Sequence, residues 1–134
     1  MRALRTLLAA IALLLLIACA ENKTADSAPT PKAPDEAAAI AAMREIVEAQ
    51  KAFIGHTRRY AQTIDELIED HQMKAKPKKS EIGYDFLMLP SPDAVSYTLT
   101  ATPASAGARH FFAYQTGKVR AETAKPALAE SPEL

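Results

Sequence analysis

EAAAIAAMREIVEAQKAFIGHT, residues 36–57, is the stretch whose reading decides the fold. Placed at about 100° per residue, Ile40, Met43, Ile46, Val47, Gln50, Phe53, Ile54 and Thr57 fall in one sector. Arg44, Glu45, Glu48 and Lys51 fall on the other side, so the spacing predicts an amphipathic helix packed on one face only. At this length it spans about 30 Å. Asp35 stands just before it, where a carboxylate can accept from the free amides of the first turn. Gln50 interrupts the apolar stripe; an amide there is expected to reach a backbone group of whatever packs against the helix.

Downstream, the partner of that stripe reads as a sheet. Thr63-Ile64-Asp65-Glu66 has the form of a capping box and opens a short helix whose apolar contacts are Ile64, Leu67 and Ile68. A basic loop follows, with Lys74, Lys76, Lys78 and Lys79 as candidate contacts for anionic headgroups or lipopolysaccharide. The plainer reading of such a run is a solvated loop. Tyr84, Phe86 and Met88 then alternate with Asp85, Leu87 and Leu89, and Pro90-Ser91-Pro92-Asp93 makes a turn. Val95, Tyr97, Leu99 and Ala101 alternate with Ser96, Thr98, Thr100 and Thr102, as in a half-buried strand. Residues 110–114 give a third strand and 119–122 a short fourth, joined by a tight turn in which Gly117 suits positive φ. The expectation is an α+β domain over residues 35–123: a long N-terminal helix packed on a meander of three to four antiparallel strands. Residues 124–134, with Pro126 and Pro132, are predicted to form a disordered tail.

Upstream of the helix, residues 19–34 are small, polar and marked by Pro29, Pro31 and Pro34. They lack apolar periodicity and are predicted to form an extended tether, at about 3.1 Å per residue. Before them, Arg2 and Arg5 precede an unbroken apolar run from Leu7 to Ala18, long enough for an export signal and too short for a membrane span. The run ends in Leu16-Ile17-Ala18-Cys19. This segment resembles the lipobox of bacterial lipoproteins, which implies removal of residues 1–18 and lipid attachment, palmitate included, at Cys19. Several acyl chains anchor stably, since each buried methylene contributes about 0.8 kcal/mol. Ala20 in place of an aspartate leans toward the outer rather than the inner membrane, on the periplasmic side. Ala18-Cys19-Ala20 also fits an ordinary export signal cut after Ala20, and that alternative stays open.

The order of elements from Ala37 to Arg120 resembles the globular heads of type IV pilins and secretion pseudopilins. The residues that carry the likeness are Glu36-Ala37-Ala38-Ala39-Ile40 leading into Ile46-Val47-Glu48-Ala49-Gln50, then Tyr60-Ala61-Gln62-Thr63-Ile64-Asp65-Glu66-Leu67. The third part runs from Tyr97-Thr98-Leu99-Thr100 to Arg109-His110-Phe111-Phe112 and Thr116-Gly117-Lys118-Val119. The resemblance implies a structural or interaction component of the envelope or of a secretion or pilus system. The departure is at the front: the pilin cleavage site and apolar filament helix are replaced by a lipobox and a polar stretch. A small pilotin-like lipoprotein that docks a partner is the alternative.

Composition narrows the function classes. Aromatics are 6% of the chain and Trp is absent, which suits a small module better than an enzyme with a deep cleft. Without Arg2 and Arg5 the sixteen basic residues become fourteen, against sixteen acidic ones, which is no nucleic-acid profile. Cys19 is the only cysteine, so neither an internal disulfide nor a cysteine metal cluster can form. His56, His71 and His110 are scattered without ligand spacing, and Asp65, Glu66, Glu69 and Asp70 crowd a short helix where capping and solvation account for them. No Gly-rich phosphate loop or Gly-x-Ser-x-Gly elbow occurs. The expectation is a non-catalytic protein without cofactor, metal or small-molecule substrate.

Overall fold

The computed structural model describes residues 33–134. The leader, Cys19 and the tether as far as residue 32 lie outside the described residues. Helix α1 (Glu36–Thr57) starts at Asp35, whose side chain accepts from the Ala38 amide at 3.0 Å. It buries Met43, Ile46, Val47, Gln50 and Phe53, and with them Ala39, Ala42 and Ala49. The three alanines widen the buried stripe and allow close packing. Ile40 and Ile54, at its margins, are only half-buried. Arg58 ends the helix in the left-handed region, at φ 65°, with its N–H on Ile54 O.

Helix α2 (Ile64–Glu69) is capped by Thr63, whose hydroxyl accepts from the Glu66 amide at 3.1 Å. The Glu66 carboxylate reaches back one residue further than a capping box requires, accepting from Gln62 N–H at 2.7 Å. The basic run is not wholly loop. Lys79 begins a four-residue helix, α3 (Lys79–Ile82), closed by Gly83 at φ 75°. A single helical turn carries no periodicity from which it could be read.

Four strands follow in chain order: β1 (Tyr84–Pro90), β2 (Tyr97–Pro103), β3 (Arg109–Tyr114) and β4 (Arg120–Thr123). They form one antiparallel sheet in the order β1-β2-β3-β4. Register places Met88 beside Leu99, and Leu99 beside Ala113, all on the face toward α1 and all buried. Tyr84 and Phe111 tilt against each other at 5.5 Å between centroids, and Tyr60 and Tyr97 at 4.9 Å. Val95 departs from the expected alternation. It lies before β2, next to Ala94 at φ 55°, and is 64% exposed. Gly117 takes φ 79° in the turn before β4, where a Cβ would sit 3.1 Å from Lys51 Cε and 3.3 Å from Val47 Cγ1.

Gln50 is fully buried and satisfies both polar groups of one residue. Its Nε2 donates to Ala61 O at 3.1 Å, and its Oε1 accepts from Ala61 N–H at 2.9 Å. The amide thus pins the segment between α1 and α2 to the core.

Residues 124–134 correct the expectation of a disordered tail. Ala121 N–H donates to Pro132 O at 2.9 Å, and Leu134 N–H to Val119 O at 3.0 Å. Glu133 bridges Arg120, while Ala127 and Ser131 are buried. Main-chain bonds along β4 hold the segment together with Arg120 Nη1 on Ser131 O at 2.8 Å and Lys118 Nζ on Glu133 at 2.9 Å, partners from outside it that its own composition does not show.

Candidate interaction surface

The basic loop is placed by its two ends. Met73 is buried and its N–H donates to Leu67 O at 3.2 Å, which fixes the start just past α2. At the far end Glu81 and Ile82 amides both donate to Lys78 O at 3.0 Å, which fixes α3. Between these points the four lysines stand exposed. Lys76 Nζ lies 3.5 Å from Asp65, Lys78 Nζ 3.0 Å from Glu81, and Lys79 Nζ 3.3 Å from Asp85. Lys74 has no ion pair among the described residues. Three carboxylates thus interleave with four ammonium groups, and the local field is far weaker than the lysine spacing alone suggests. Exposed pairs of this kind contribute about 0–1 kcal/mol each, so an anionic surface can compete for them.

Behind the loop lies a shallow groove of about 300 Å³ between it and the first half of α1. Its floor is Ala38, Ala41 and Ala42 on one side and Ala75, Pro77 and Ile82 on the other, with Glu45, Lys76, Lys78 and Glu81 at the rim. Small side chains on the helix make the depression. The rim offers charges of both signs.

A second cluster joins the end of α1 to α2. Arg59 pairs with Glu66 and lies 5.2 Å over the Phe53 ring. Arg59 holds the Glu66 carboxyl below its ordinary value, and burial opposes this only in part. His56 Nε2 stands 2.9 Å from Asp70, and its Nδ1 3.0 Å from Ala52 O, so both ring nitrogens face acceptors. His110 is a strand residue opposite Glu122, and His71 sits at φ 60° just past α2. Among the described residues no group of three or more His, Cys, Asp or Glu could hold a metal ion.

Charge also ties the start of α1 to the sheet. Glu36 Oε1 accepts from Arg109 N–H at 3.1 Å, and Glu36 Oε2 from Arg109 Nε at 2.9 Å. The backbone bond from Arg109, followed by its guanidinium, lowers the Glu36 carboxyl from its ordinary value. Tyr84 donates to Arg109 O at 2.9 Å, and burial pushes its hydroxyl up to about 12. Burial raises Tyr97 as well. Each shifted group has a packing or pairing partner that accounts for it.

No family model, curated protein or solved structure matches this chain. Among the described residues no helix is long and apolar enough to cross a membrane.

One surface feature stands outside the expected set. Leu87 and Leu89 point away from the core and are 54% and 55% exposed. The signal was in the sequence, as an unbroken apolar run from Phe86 to Leu89 in a strand whose alternate residues should be polar.

Proposed function

We propose that this chain is a non-catalytic lipoprotein of the cell envelope, cleaved before Cys19, anchored by lipid on the periplasmic side and carrying a pilin-like module for contact with other proteins. The observation that carries the reading is the sequence Leu16-Ile17-Ala18-Cys19 at the end of a short apolar leader. A long helix, two short ones and then a four-stranded antiparallel meander support the comparison with pilin heads. Leu16-Ile17-Ala18-Cys19 and the polar, proline-marked residues 19–34 ahead of the domain favour a tethered head over a filament subunit, in a secretion or pilus system or elsewhere in the envelope. Shallow grooves and carboxylates already engaged with Arg, Lys or His favour contact over chemistry. The Lys74, Lys76, Lys78 and Lys79 loop is an auxiliary contact for an anionic surface, reduced by its three paired carboxylates. Outer-membrane residence is part of the reading, on Ala20.

Metabolic labelling with a palmitate analogue tests the anchor. The parent chain takes up label; Cys19→Ser takes up none and accumulates uncleaved, because a hydroxyl does not replace the thiol in thioether formation. Label on the Ser variant equal to that of the parent overturns the reading.

A further inference from the structure

We propose that β1 is a self-association edge, pairing antiparallel with β1 of a second copy about a twofold axis at Met88. The sheet order leaves β1 and β4 as its two edges, and the chain's own residues 132–134 lie along β4. No described segment pairs its main chain with the outer side of β1; Gln62–Asp65 and Lys76 face Phe86, Leu87 and Met88 across a groove of about 180 Å³. Exposed edges are ordinarily defended by charge, proline or a bulge. β1 keeps unbroken register with β2 over seven pairs, and Asp85 is its only charged residue; its proline, Pro90, stands at the very end. Leu87 and Leu89 occupy the outward positions where a defended edge carries lysine or glutamate.

The occupant follows from self-complementarity. A free strand edge offers main-chain donors and acceptors that fit an extended backbone, and outward leucines fit other leucines. Two identical antiparallel strands form a closed twofold pair, so one choice of axis sets every contact. An axis at Leu87 would set Asp85 against Leu89 of the second copy, and an axis at Phe86 would set Asp85 against Leu87. Both place a carboxylate on a leucine. An axis at Met88 sets Leu87 of each copy against Leu89 of the other, and Asp85 against Ser91. It also carries the Asp93 end of one strand toward the end of the other that holds Lys79, whose ammonium is exposed and 3.3 Å from Asp85. Of these three axes, only the one at Met88 sets leucine against leucine while keeping the Asp85 carboxylate off a leucine. Two short strands and four leucines cover less than about 1,200 Å², the size class of weak, reversible association. The pairing uses only described residues and does not depend on the lipid anchor.

Sedimentation of the full chain in mild detergent over a wide concentration range tests the proposal, with hydrogen exchange read on the β1 amides. The expected result is a reversible dimer whose β1 amides slow as concentration rises. Leu87→Lys, at an exposed position, melts with the parent and weakens the dimer at least tenfold. Leu89→Glu alone does the same. Mixing the two variants restores the dimer, because the introduced ammonium and carboxylate then face each other across the axis. A monomer at every concentration, a dimer indifferent to Leu87→Lys, or variants that fail to recover on mixing would each overturn it.

Discussion

Along β4 the outer main-chain groups find partners in the last residues of the same chain, whereas along β1 the strand looks out on solvent and a small groove. That groove, about 180 Å³, separates Phe86, Leu87 and Met88 from the start of α2 and from Lys76. The contrast runs against need. β4 is four residues long with Arg120, Glu122 and Thr123 on it, and its charges would discourage a foreign strand without any cover. β1 is seven residues long and mostly apolar, and it is the one left open. Cover is therefore distributed by where the connecting segments run, and the strand that could pair with another chain keeps its pairing groups.

The largest expected effect breaks both edges together. Phe111 is buried against Tyr84, joining β3 to β1 across the inner face of the sheet. Phe111→Ala removes that ring and leaves a cavity, at a cost of about 3–5 kcal/mol. Urea unfolding reads the loss, and exchange should accelerate on β1 and β4 alike. An unchanged midpoint would mean that the two edges do not share this core.

A smaller effect separates the edges. Deleting residues 124–134 removes the hydrogen bonds made by Ala121 N–H and by Val119 O, the Arg120–Ser131 contact at 2.8 Å and the burial of Ala127. Net hydrogen-bond and apolar contributions of this kind amount to about 1–3 kcal/mol. Exchange at the Ala121 amide should then accelerate while that at the β1 amides stays as in the parent. Acceleration at both edges equally would show that the covered edge is not locally protected.

Which of these features could be read in advance depended on what kind of group holds them. α1 was legible because eight side chains repeat on one sector and Asp35 sits where a cap is needed. β1 and β2 were legible from alternation, although Val95 continued the alternation on paper and fell outside the strand. α3 has only one turn, so Lys79 looked like more of the basic loop. The order in residues 124–134 rests largely on backbone amides and carbonyls, which every residue possesses and no composition reveals, and on Lys118 and Arg120, which only the fold brings to it. The basic loop was visible, but its neutralisation was not: Asp65 and Asp85 reach it from neighbouring elements, and only the fold brings them together. Cys19 remains a matter of sequence, since it lies outside the described residues.

The smallest expected effect lies away from both edges, where Glu36 ties the start of α1 to Arg109 at the start of β3. The carboxyl is lowered from an ordinary value of 4.5, so the folded state binds that proton less readily than the unfolded chain. Its stabilisation is therefore fully present above the unfolded value and is lost as pH falls through the lower, folded one. Both side chains are about a third exposed, at 37% and 34%, and solvent screening holds the contribution to under about 1 kcal/mol. Glu36→Gln keeps an oxygen for the Arg109 N–H but removes the charge facing the guanidinium. At neutral pH the variant should be slightly less stable than the parent, and the two should converge in acid as the parent carboxyl protonates. Glu66, also held low by Arg59, titrates in both proteins, so each retains some acid sensitivity and only their difference reports on Glu36. Thermal melts of the two proteins across the acid range measure that difference. A gap that stays constant with pH would mean that the Glu36 charge contributes nothing, and that the contact is held by its neutral hydrogen bonds alone.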